Sequence, residues 1–135
     1  MAFFRATIGG GSGGVNETEL WSNPSTTSNF GPSWTTVSLS DNMSNYDLIR
    51  IYFYKSTSDQ STEYKEGMDV SNLQEASGAT VRYTIGCQGE YVRDIARTSD
   101  NSDVQLRISN GYSRTTNNGT DTSKVIPIKV CGIKY

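Results

Sequence analysis

Histidine is absent from the 135 residues. With it go the commonest general base, the Ser-His and Cys-His nucleophile pairs and the usual zinc ligand. Cysteine occurs twice, as Cys87 and Cys131, too few for a four-ligand structural zinc site. The two lie in separate strand-like runs and read as small buried thiols, since nothing signals an oxidising compartment. Proline occurs three times, charged residues make up 19% of the chain and hydrophobic ones 34%. Both fractions are low for a soluble domain, and Ser, Thr, Asn and Gly fill the gap. Twelve basic against fourteen acidic side chains leave a net charge of −2, which gives no electrostatic case for nucleic acid, although Arg82, Arg93, Arg97, Arg107 and Arg114 lie in one half of the chain and leave a local Arg patch open. No apolar run approaches the roughly 20 residues of a membrane-spanning helix. The opening MAFFRATI has no long apolar stretch of the secretory kind, so synthesis in the cytoplasm is expected. The Asn-X-Ser/Thr triplets at Asn16, Asn42 and Asn118 are what chance produces in such a composition.

Phosphate-loop motifs are missing too. The run Gly9–Gly14, GGGSGG, has neither a strand before it nor a helix after it, so it does not read as a phosphate cradle. It reads as an artificial linker or a flexible hinge, its ends about 13 Å apart on average. The second reading makes residues 1–14 an anchor peptide, with Phe3, Phe4 and Ile8 as the groups that would bury in a partner, and residues 15–135 the main domain. Carboxylate pairs remain as the one route to hydrolytic chemistry without histidine. Glu63 with Glu66, Glu90 with Asp94 and Asp100 with Asp103 each lie in or near polar turns, where solvated surface charge is the simpler reading. Asp100–Asp103 offers oxygens that calcium could use but lacks the twelve-residue loop pattern. The expectation is a chain that holds or binds, with no catalytic residue, cofactor or metal.

What the sequence does contain is β patterning. The strongest predicted strand, Tyr46–Lys55, alternates Ile49, Ile51 and Phe53 against Leu48, Arg50, Tyr52 and Tyr54, so one face is core and the other half-polar and aromatic. Trp34–Ser40, Thr80–Gln88, Glu90–Ser99, Val104–Ser109 and Lys124–Tyr135 read as further strands, with Thr18–Ser22 and Glu63–Val70 as weaker ones. Ser71–Ala76 could close one helical turn. Gly89 suggests a tight hairpin, and Asn110-Gly111 predicts a two-residue hairpin leading into Tyr112–Thr116. Pro127 is expected at a strand start, bulge or edge because it donates no ladder bond. Seven to eight short strands without a ten-residue helix predict an all-β, antiparallel, jelly-roll-like sandwich.

Aromatics carry the functional signal: eight Tyr, four Phe and two Trp. Tyr52 and Tyr54 are expected to project beside Arg50 from the face away from the core. Tyr91 and Arg93 repeat that arrangement on another strand, and Tyr112 with Arg114 adds to it. Tyrosine rings stack on sugars and bond their hydroxyls at low entropic cost. The same face also suits burial against the second sheet or a sister subunit. Both readings stand at this point.

Glu19-Leu20-Trp21 with Asn23-Pro24 and Thr27–Phe30, then Met43–Asp47, Leu48–Tyr54 and Ser56–Ser58, and the closing Ile126–Lys134 resemble a family of small phage and prophage virion domains. The resemblance spans residues 19–58 and 124–135. It is similar to the head domains of tail fibres and receptor-binding proteins of phages of Gram-positive, often gut, bacteria. It implies a virion location, a homotrimer, other virion proteins as partners of the N-terminal peptide, and host-surface glycan as a ligand. The short stalk also fits a capsid-decorating or tail-assembly component without external ligand.

Overall fold

In a computed structural model, residues 15–31, 33–70, 73, 81–86, 90–113 and 120–135 are described, with backbone alone for 81–86, 90 and 112–113. The expected anchor groups Phe3, Phe4 and Ile8, the turn at 71–76, Cys87 and Arg114 lie outside these residues or, for residue 73, touch them at one point.

The strands are β1 (Asn16–Ser22), β2 (Thr35–Ser38), β3 (Leu48–Ser56), β4 (Glu63–Asp69), β5 (Val81–Gly86), β6 (Glu90–Ala96), β7 (Gln105–Ile108), β8 (Tyr112–Ser113) and β9 (Lys124–Lys134). A 3-10 turn, Met43–Asn45, precedes β3. Two antiparallel sheets form, ordered β1-β9-β3-β4 and β2-β7-β6-β5, with β8 beside β6. First strand pairs with last and second with seventh, the nesting of a jelly roll. Strands β3 and β4, and β5 and β6, are antiparallel neighbours in sequence and in space; Gly89, expected in a tight hairpin, lies outside the described residues. The chain is thus an all-β antiparallel sandwich.

Alternation places the core. Ile49, Ile51 and Phe53 of β3, Met68 of β4 and Val130 of β9 come from one sheet, while Val37, Ile95, Leu106 and Ile108 come from the other. All belong to one buried cluster. Each fully buried aliphatic side chain contributes about 1.5–3 kcal/mol by leaving water. A bulge in β1 sets Glu19 and Trp21 against the consecutive residues Cys131 and Val130. That extra residue, Leu20, is buried, and Trp21 packs against the same core with its ring edge-on to Phe30 at 6.1 Å. Pro127 lies at the second irregularity, where the β3–β9 register shifts between Tyr52 and Phe53. A central strand tolerates the missing donor only at such a place.

Two strands depart from their sequence reading. Asn110-Gly111 does not turn a hairpin, because β8 pairs with β6 rather than with β7. Strands β7 and β8 follow one another along the same edge of β6, and residues 109–111 fold around Arg93 between them. Gly111 is needed there for close approach: a Cβ would lie 2.5 Å from the Asp121 carbonyl oxygen and 3.1 Å from Arg93 Nη2. Strand β6 is the second case. Tyr91 and Arg93 share the parity of the core residue Ile95, so they point between the sheets and not away from them. Val92 and Ala96, on the opposite face, are buried as well. A strand covered on both sides carries no polar alternation from which its inward face can be read.

Candidate functional site

The outer face of the four-stranded sheet gathers the polar and aromatic residues that alternation removed from the core. Register sets Arg50 beside Cys131 and Tyr52 beside Lys129, with Glu19 beyond Cys131 and Glu17 beyond Ile133. From the edge strand, Glu17 reaches diagonally over β9. Its Oε1 accepts a hydrogen bond from Arg50 Nη1 at 3.0 Å, and its Oε2 accepts one from Tyr52 Oη at 2.7 Å. Lys129 Nζ sits 4.6 Å from the Tyr52 ring centroid. Tyr52 is only 8% exposed. The expected trio is therefore split by environment: Arg50 and Tyr52 are engaged by Glu17, while Tyr54, half-buried and in register with Glu63, has no such tie.

Burial works against ionisation of Glu17, but hydrogen bonds from Tyr52 and Cys131 and the Arg50 guanidinium outweigh it and hold the carboxyl below its usual range. Cys131 responds in the opposite sense. Burial first, then the Glu17 charge, push its thiol up to about 12. A thiol that stays protonated is a poor nucleophile. Iodoacetamide at mildly alkaline pH is therefore expected to leave Cys131 unmodified in the folded protein and to alkylate it only after denaturation. Peptide mass mapping reads this separately from Cys87, and native-state labelling at Cys131 would refute the buried geometry.

A second polar network ties one end of the sandwich. Arg97 Nη1 donates to Asp103 Oδ1 at 3.1 Å and to the Ser102 carbonyl at 3.0 Å, and its Nε donates to the Leu73 carbonyl. Asp103 Oδ2 accepts from the Ser44 hydroxyl and the Ser44 backbone amide. Burial opposes the Asp103 charge, yet the Ser44 bonds and Arg97 together hold its pKa down. Glu17 and Asp103 both have folded pKa values below their unfolded ones, so the stability they contribute is present above the ordinary carboxylate range near pH 4 and is lost as pH falls through the folded values. Urea midpoints followed downward from neutral pH are expected to fall there, and Asp103→Asn is expected to flatten that fall. An unchanged acid profile in Asp103→Asn would count against it.

Arg93 has no access to an external ligand. Its side chain is 1% exposed. Nε donates to the Val125 carbonyl at 2.7 Å, Nη1 to Ser109 at 2.8 Å, and Nη2 to Thr122 and Lys124 at 3.0 and 3.1 Å. The Phe30 ring lies 5.3 Å from Arg93 Cζ. Burial lowers this guanidinium to about 10, which leaves it charged at neutral pH. Tyr91 is half-buried under Lys124 Nζ at 5.2 Å. The backbone of Tyr112 pairs with Val92; its side chain is outside the described residues. Tyr91 and Arg93 are therefore removed from the outward set expected from sequence.

What the sequence reading missed is the pairing of Trp34 with Arg107, on the outer face of the other sheet. Arg107 Cζ stands 4.4 Å from the Trp34 ring centroid, and Trp34 keeps 36% of its surface exposed. Thr36 is in register with Arg107, and Ser38 with Gln105. The signal was present: Val37 and Leu39 are core, so Trp34 shares outward parity with Thr36 and Ser38, as Arg107 shares it with Gln105. No group of three or more His, Cys, Asp or Glu among the described residues could hold a metal ion. No protein-family model matches the chain, and no curated protein matches it.

Proposed function

We propose that the chain is a non-catalytic virion surface domain, displayed through residues 1–14, that binds host-surface carbohydrate. The single observation that carries the sugar reading is the exposed indole of Trp34 held against the Arg107 guanidinium, on a sheet face lined by Thr36, Ser38 and Gln105. A flat apolar ring beside hydrogen-bond donors suits the C–H face and hydroxyls of a sugar. The virion reading is supported by the resemblance carried by residues 19–58 and 124–135. Individual sugar contacts are weak, and repetition on one particle or trimer raises avidity by roughly 10²–10⁴ where geometry permits. The test is a host-glycan array probed with the full chain displayed in many copies. Binding that is lost in Trp34→Ala supports the proposal, and absence of binding across the array rejects it.

A second reading, a capsid-decorating or tail-assembly component without external ligand, is favoured by a separate observation. Arg50 and Tyr52 both donate to the Glu17 carboxylate, so this network holds together without a sugar. Here residues 1–14, with Phe3, Phe4 and Ile8, dock in another virion protein. Deleting them is expected to abolish incorporation into particles; unchanged incorporation removes the docking role.

A further inference from the structure

The described arginine side chains differ in one respect. Arg50 meets Glu17, Arg93 meets four carbonyls and Arg97 meets Asp103 together with two carbonyls. Arg107 meets an indole ring and, among the described residues, no oxygen at all. A guanidinium is a planar fork of five donors whose geometry matches a carboxylate, and stacking on an aromatic ring leaves that donor edge open. Holding the fork against Trp34 also removes side-chain freedom that a ligand would otherwise have to restrict.

The geometry points to an acidic saccharide, one with a carboxylate on the sugar ring, as the ligand of the Trp34–Arg107 face. This inference rests on the carbohydrate reading above and narrows it. In a uronic acid the carboxylate is bonded directly to the ring, so the fork can take the carboxylate while the ring's C–H face lies on the exposed indole. Thr36, in register with Arg107, and Ser38, in register with Gln105, lie with Gln105 on the same strands at outward parity and supply hydroxyl and amide groups for the remaining sugar oxygens. The protein's own net charge of −2 disfavours diffuse adsorption of a polyanion, so attraction has to come from this local cation.

The experiment uses the full chain immobilised on a biosensor at high density, with polygalacturonate, a glycerol-phosphate polymer and dextran as analytes. The expected order has polygalacturonate bound about tenfold or more tightly than dextran, the worth of one charge-assisted hydrogen bond. Its binding should weaken as salt screens the contact. Arg107→Gln is expected to abolish that preference, and Arg107→Lys, which keeps the charge without the fork, to restore only part of it. Trp34→Ala is expected to weaken every saccharide. Both side chains are on the surface, and unchanged thermal melts confirm that the variants fold. Equal binding of dextran and polygalacturonate, untouched by Arg107→Gln, overturns the acidic preference while leaving carbohydrate binding intact. A glycerol-phosphate polymer bound as well as polygalacturonate overturns the carboxylate assignment. No binding to any of the three in the wild-type chain overturns the acidic-saccharide assignment, while the host-glycan array decides the carbohydrate reading separately.

Discussion

Arg93→Met is expected to cost about 3–5 kcal/mol of folding stability, a large share of the 5–15 kcal/mol that holds a typical domain. The reason is the set of carbonyls at Ser109, Thr122, Lys124 and Val125, which this one guanidinium serves. Methionine fills much of the volume but donates nothing, and each acceptor left dry costs about 1–3 kcal/mol. The Thr122 carbonyl keeps one donor, since it also accepts from the Phe30 amide. Arg93 stands on β6 in one sheet, and Lys124 and Val125 open β9 in the other, so the substitution loosens the junction between the two layers. Val125 makes the junction less forgiving. Its φ is 50°, a left-handed backbone that a β-branched residue adopts only where surrounding contacts enforce it. Urea denaturation with the surface variant Arg107→Gln as control measures the effect. A midpoint for Arg93→Met equal to that of the control would remove the bridging role. Arg93→Lys should fall between, because an ammonium has three donors at one point where the carbonyls are spread around a fork.

Gly132→Val is the other large effect, expected to destabilise by about 1–3 kcal/mol through overpacking. Gly132 lies in the central strand β9, in register with Ile49 and Thr18. A Cβ there would stand 2.5 Å from Cγ and Cδ1 of the Tyr46 ring, far inside contact distance. The strand cannot retreat, because β1 and β3 pin it from both sides, so the ring has to move. Moving it endangers the bond from Tyr46 Oη to Asp41 Oδ2 at 2.8 Å that spans the 3-10 turn. The check is a double-mutant cycle by thermal melting: in a Tyr46→Ala background the cost of Gly132→Val should shrink, since the obstacle is gone. An equal cost in both backgrounds would mean that the ring is not what Gly132 accommodates.

Strand β3 was readable because its two faces meet different media. Ile49, Ile51 and Phe53 face the core and Arg50 and Tyr54 do not, so hydropathy reports orientation directly. Pro127 was readable for a different reason, since a residue without an N–H restricts where a ladder can continue. The outward parity of Trp34 and Arg107 was equally available from Val37, Leu39, Leu106 and Ile108. What was not available is that β2 and β7 are neighbours, which is the condition for those two side chains to meet. Strand β6 resisted reading because both its faces are buried, so Arg93 looked like a surface donor. A charged residue is found inside only when other parts of the chain bring acceptors to it, and all four acceptors of Arg93 lie 16 or more residues away in sequence.

By itself the order of residues determined the class of structure: short alternating strands punctuated by Asn, Ser, Gly and Pro, an antiparallel sandwich, and a chemistry without histidine. Alternation and turn formation depend on neighbours within a few positions, and such neighbours are written side by side. Tertiary structure alone decided the nesting of β1 with β9 and β2 with β7, the engagement of Arg50 and Tyr52 by Glu17, the burial of Arg93, and the meeting of Trp34 with Arg107. Each of these joins residues distant in the chain, and which distant residues meet is set by how two sheets close over one shared core.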